Sequence, residues 1–177
     1  MSSKVYLTDV RASSHSNSLI NKLEKLFYKA GFNDFIEEDD LTVVKLHFGE
    51  KGNAAFIRPV YIRKLVEAIK QSKGKPFLTD ANTLYSGERA NSVDHLNTAI
   101  ANGFSYATIK APILIADGIT GKNYDEIEIN LKHFDNVKIG SDIIHADGLI
   151  SVAHFKGHEL AGFGGTIKNI GMGLGSR

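Results

Sequence analysis

An α/β fold, a mostly parallel sheet with helices on both faces, is what the sequence of 177 residues predicts. Short apolar runs of strand length alternate along the chain with stretches in which apolar residues recur at helical period. Several of those runs are apolar at consecutive positions, as strands buried on both faces must be. Polar residues gather just after the runs, at the sheet edge where an open α/β sheet places its ligands.

The elements follow in order. KVYLTD (4–9) reads as a first strand, and after SSHSN the residues Leu19, Ile20, Leu23, Leu26, Phe27 and Ala30 keep helical spacing until Gly31 supplies a stop. LTVVKLHF (41–48) is a second strand; the loop GEKGNAAF leads to Pro59 at a helix start, with Val60, Leu65, Val66 and Ile69 on one stripe. KPFLTD (75–80) is a third strand. The polar loop ANTLYSGERAN then leads to a helix from about Ser92, with Leu96, Ala99 and Ile100 inward and Gly103 after it. APILIAD (111–117) is a fourth strand. Alternation in DEIEIN and HFDNVKI predicts an antiparallel hairpin near 124–139, attached to the main sheet. A helical turn near SDIIHA precedes the last strand, GLISVAHF (148–155), and GGTIKNIGMG begins a helix with glycines at its entrance. With no internal repeat, low-complexity tract or linker, residues 1–177 read as a single α/β domain.

Composition removes several classes of function. Twenty-one basic against 20 acidic residues leave a net charge of +1, far from the basic surface that binding nucleic acid exploits. The absence of cysteine excludes disulfides, thiolate zinc sites, iron-sulfur ligation and cysteine nucleophiles, so any metal must use nitrogen or oxygen. Neither a signal-peptide core nor an apolar run of bilayer length is present, which predicts a cytoplasmic protein without a membrane partner.

The strand-end residues are Asp9 and Arg11; His47, Glu50 and Lys51; Asp80 and Asn82; Asp117; and His154, Lys156 and His158. In a parallel sheet all five sets share one rim. Asp and Asn also stop strands and cap helices, which is explanation enough for Asp9, Asp80 and Asp117 taken singly. Capping does not need imidazole, although a strand-end histidine can equally be a satisfied, half-buried polar group. His154 and His158 have the spacing of two metal ligands on a helix, but Gly157 and the preceding strand oppose a helix, and HELAG has Gly162 where a zinc protease has its second histidine. Gly162, Gly164 and Gly165 permit close backbone approach, and at a helix entrance their amides would cradle a phosphate or carboxylate, with Lys168 one turn further in. Tight helix-on-sheet packing is the competing use of such glycines. GFGGTIK is not a Walker A sequence, and no G-x-G-x-x-G occurs there.

KLHFGEKGNAAFIRPVYIRKLVEAI, GKPFLTDANTLYSGERANSVDHL and HFKGHELAGFGGTIKNIGMGLGSR resemble the domain of unknown function 362 family, over essentially the whole chain. Longer members carry a ferredoxin-like insert with two 4Fe-4S clusters. The resemblance implies that this chain is the amino-terminal part of a longer architecture and that clusters belong to the longer members. HELAGFGGTIK is also similar to the motif of nickel-pincer lactate racemases. That similarity implies an acid/base role for His158 and a cofactor-anchoring role for Lys168, roles that imidazole and a desolvated amine can fill. The loop ANTLY lacks the histidine expected of those enzymes, and their nickel-ligating histidine would lie beyond Arg177.

Three functions compete. A small anionic ligand or phosphate-bearing cofactor would sit among His154, Lys156, His158, Lys168 and the glycines, with His47, Lys51, Asp80 and Asn82 opposite. A non-catalytic scaffold would dock a ferredoxin-like module, a partner chain or a second copy. A divalent metal would need His47, His154 and His158 to converge with Asp80.

Overall fold

Side-chain pattern and capping set the elements of the computed structural model, which describes residues 3–177. Ser18 caps helix α1 (Leu19–Lys29) by accepting from the Asn21 amide at 3.4 Å, and Gly31, at φ +76°, ends it. Strand β1 (Leu41–Lys45) leads to α2 (Pro59–Gln71), where proline occupies the first turn, whose amide needs no partner. Then come β2 (Lys75–Asp80), α3 (Ser92–Ala101), the short α4 (Tyr106–Ile109) and β3 (Ile113–Ile115). An antiparallel hairpin of β4 (Tyr124–Leu131) and β5 (Phe134–Gly140) precedes α5 (Ser141–Ile144) and β6 (Gly148–Ser151). A second small hairpin, β7 (Lys156–His158) with β8 (Gly162–Gly164), enters α6 (Thr166–Gly173).

The main sheet has the order β3-β2-β1-β6, and each neighbouring pair is parallel. The α/β fold is therefore as the sequence predicts. From β1 the chain moves to β2 and β3 on one side, then returns to lay β6 on the other side of β1. The strand order thus reverses at β1, and a crevice opens beyond the carboxyl ends of β1 and β6.

One face of the sheet carries the apolar core. Val44, Leu46 and Leu78 pack against Ile62, Leu65, Val66 and Ile69 of α2, with Phe27 of α1, Ala99 of α3, Phe104 and Ile109 completing the cluster. Period two sends Lys45 to the opposite face, where it meets α6. Helices accordingly flank both faces.

Several expectations are corrected. Residues 3–9 form no strand: Val5 and Leu7 are 88% and 91% exposed, and neither edge strand takes the segment up. A strand exists only with a ladder partner, and what holds this segment is the Lys22 ammonium, which donates to Asp9 Oδ1 and to the Arg11 carbonyl, each at 2.6 Å. Asp9 and Arg11 therefore leave the rim. Val60 and Ile100 point outward, their places in the buried stripes taken by Ile62 and His95. The hairpin of residues 124–140 forms its own two-stranded sheet rather than joining the main one, and reaches the end of the chain through the Gly140 amide, which donates to Leu174 O at 3.0 Å. Among the described residues no helix is long and apolar enough to cross a membrane.

Candidate functional site

The crevice at the reversal point is a cavity of about 340 Å³. Its floor comes from the ends of β1 and β2, one wall from the loop 81–89, and the other from residues 152–156 with the β8–α6 junction.

The floor is a buried ion cluster. Asp80, 3% exposed, accepts from Lys45 Nζ at 2.9 Å on Oδ1 and from Arg89 Nη1 at 3.3 Å on Oδ2. Lys45 Nζ also donates to Asn169 Oδ1 at 2.6 Å, and the Asn169 amide returns bonds to Ser151 Oγ, Val152 O and Lys45 O. This asparagine on α6 ties β1 to β6 directly above the switch point. The end of α6 closes over the pair: Gly173 O accepts from the Ala81 amide, and a Cβ at position 173 would fall 2.1 Å from Lys45 Nζ. Only glycine lets the backbone approach that closely.

Arg89 extends the cluster outward. Its Nη2 donates to Glu50 and, at 2.8 Å, to the Tyr85 hydroxyl, which donates to Glu50 Oε1 at 3.0 Å. Burial lifts the Glu50 carboxyl, but the Arg89 guanidinium outweighs it and holds the group below its ordinary value. Burial likewise pushes the Lys45 ammonium down, with Asp80 opposing. Desolvation takes His47 to about 4 and His95 to about 4. His47 Nδ1 accepts from the Gly49 amide at 2.9 Å, and Nε2 stands 3.7 Å from Glu50 Oε1.

The far wall is cationic. Lys156 and Lys168 flank Gly164, whose Cβ would touch their side chains at ordinary contact distances of 3.9 and 3.5 Å. Among the described residues neither lysine makes an ion pair. The lining holds four cations, Lys45, Arg89, Lys156 and Lys168, against the single carboxylate of Asp80. Asp80 consumes Lys45 and shares Arg89 with Glu50, so the surplus charge belongs to the two lysines.

Of the residues singled out from sequence, His47, Asp80, Asn82, His154, Lys156, Gly164, Gly165 and Lys168 line this cavity. Lys51, His158 and Gly162 do not. Lys51 turns to Glu88 at 3.2 Å. His158 Nδ1 accepts from the amides of Leu160 and Ala161, stapling its own β7–β8 turn, and Gly162 supplies the φ of +74° which that turn requires. Asp117 matches the bland explanation: buried, its carboxyl raised by desolvation, it receives the Asn82 backbone and side-chain amides and joins two loops. Among the described residues no three His, Asp or Glu side chains form a metal-ligand set. The set of His47, His154, His158 and Asp80 does not assemble, because His158 is held in its turn and Lys45 and Arg89 occupy both Asp80 oxygens.

Sequence reasoning missed Lys45, Arg89 and His95. A lysine inside the apolar run LTVVKLHF was the available signal for the first, and the spacing of His95 to Ser92 and Ala99 for the third. Nothing local marked Arg89.

Fold and cavity together define an α/β protein with a cationic crevice at a topological switch point. The profile of the domain of unknown function (DUF362) matches residues 42–177, and the chain belongs to that family. No curated protein and no solved structure matches it. The roles that similarity to lactate racemases implies for His158 and Lys168 gain no support from these comparisons.

Proposed function

We propose that the cavity binds a small anion, a carboxylate or the phosphate of a cofactor, between the lysine wall and the neutralised floor. The observation that carries this reading is the convergence of Lys156 and Lys168, without ion partners among the described residues, on a cavity whose only lining carboxylate is already paired. Two ammonium groups lining one hollow repel each other, and an anion between them relieves that repulsion. The N-terminus of α6, whose cap Gly165 lines the cavity and offers no side-chain acceptor, adds a partial charge of the right sign. Calorimetric titration of the chain with inorganic phosphate, phosphate monoesters and monocarboxylates tests the reading. Saturable binding that weakens roughly tenfold or more in Lys168→Ala is expected, as for a charge-assisted contact; equal affinity in wild type and variant counts against it.

A second reading rests on a different observation. Phe155, Leu160, Phe163 and Ile167, between 60% and 94% exposed, crowd the β7–β8 hairpin and the start of α6. Such a patch suits a docked module or partner chain, including the ferredoxin-like module of longer family members. On this reading Phe163→Ser and Lys168→Ala impair assembly while leaving anion affinity unchanged.

A further inference from the structure

Arg89 and His95 meet at one oxygen. Arg89 Nη1 stands 3.3 Å from Asp80 Oδ2, and His95 Nε2 stands 3.8 Å from the same atom, just beyond hydrogen-bond reach. Both side chains are buried, Arg89 at 4% and His95 at 0% exposure. Neither is satisfied: Arg89 Nε, His95 Nδ1 and His95 Nε2 all lack a hydrogen-bond partner. A buried donor or acceptor left without a partner is expensive, so three on the two side chains that meet at Asp80 mark an arrangement that a better one can replace. Arg89 lines the cavity, whereas His95 lies behind it, edge-on to the Phe48 ring.

We infer that Arg89 is the exchangeable cation of this site: on anion entry it turns from Asp80 to the ligand, and His95 moves onto the vacated Asp80 oxygen as a protonated partner. The inference rests on the anion-binding reading and adds a residue and a proton to it. Turned from Asp80, the guanidinium offers its Nη1 donors to an oxyanion, while Nη2 stays anchored on Glu50 and Tyr85. Asp80 then keeps Lys45 on Oδ1 and gains an imidazolium on Oδ2. The proton comes from solvent and sits on His95 Nε2, so one proton is taken up for each anion bound. Asp80, at the end of β2, and Glu50, in the loop after β1, favour the charged form of His95. Burial opposes it most, and Arg89 and His47 add to that opposition; departure of Arg89 toward an anion removes the larger of the two opposing charges.

The test uses sulfate, whose charge is constant across the relevant pH range. Calorimetry in buffers of different ionisation enthalpy counts the protons taken up, and imidazole carbon–proton shifts report His95. Expected are uptake of about one proton at pH 6, movement of the His95 resonances toward imidazolium on saturation, and sulfate affinity that rises as pH falls. His95→Phe, which keeps an aromatic ring against Phe48, removes the uptake, and His95→Gln serves should that variant fail to fold. Arg89→Lys, whose single ammonium cannot hold Glu50 and an anion in the planar arrangement of two Nη groups, weakens sulfate at least several-fold. Sulfate that shifts the amides of Lys156, Gly164 and Lys168 with no proton uptake and no change at His95 overturns the inference while leaving anion binding intact. Sulfate that shifts none of those amides overturns both.

Discussion

KVYLTD and KPFLTD, residues 4–9 and 75–80, are identical at four of six positions and end on the same Thr-Asp. The second is the buried strand β2; the first lies in solvent without a ladder. Asp80 is sealed between Lys45 and Arg89, whereas Asp9, with 69% of its side chain exposed, is held by Lys22. The difference is neighbours. KPFLTD arrives between β1 and β3, so Leu78 falls into the core opposite Val44 and Asp80 lands at the cavity floor; KVYLTD meets no edge in this structure. Local pattern prepares a segment for a sheet, and tertiary context decides whether it enters.

Mutating the paired positions sharpens that contrast. Asp80→Ala strands two buried cations and should destabilise the fold by about 3–5 kcal/mol in urea melts, with Asp9→Ala, which leaves Lys22 its bond to the Arg11 carbonyl, costing much less. Leu78→Ala opens a cavity in the core and should lose about 2–5 kcal/mol, while Leu7→Ala changes nothing measurable. Equal effects within either pair would mean that residues 3–9 are in a sheet after all. Gly173→Ala drives a methyl into the Lys45–Asp80 pair, for an expected loss of about 1–3 kcal/mol; Gly171→Ala, whose Cβ meets open space, is the control and should not destabilise.

The smallest effect is in pH. His95 is neutral when buried, with its folded value near 4, against 6.5 for an ordinary histidine. Between those values the unfolded chain binds more protons than the folded one, so stability falls as pH drops from about 6.5 toward 4. His95→Phe should flatten that part of the curve. His47 moves the same way but keeps 43% of its side chain in solvent, so its variant should flatten the curve less.

How far the sequence could be read follows the same logic. β2, the helix starting at Ser92 and the 124–140 hairpin were legible because period, caps and punctuation are local signals. The cationic wall was legible too, since Lys156 and Lys168 stand close together in the chain. The floor was not. Lys45, Asp80 and Arg89 come from three separate segments, and Asn169 reaches Lys45 across 124 positions. What joins them is the strand order that places β6 beside β1, and no local pattern encodes strand order. His158 shows the converse: its spacing to His154 suggested a shared site, yet two backbone amides staple it into its turn.

The central claim is that an anion settles at the switch point between β1 and β6. An amide-resolved titration of the chain with inorganic phosphate tests it most directly. Saturable, concerted shifts at Lys156, Gly164, Gly165 and Lys168, with His47 following across the cavity, are predicted. Shifts scattered over surface lysines such as Lys25, Lys73 and Lys110, growing linearly and reaching no plateau, would contradict it.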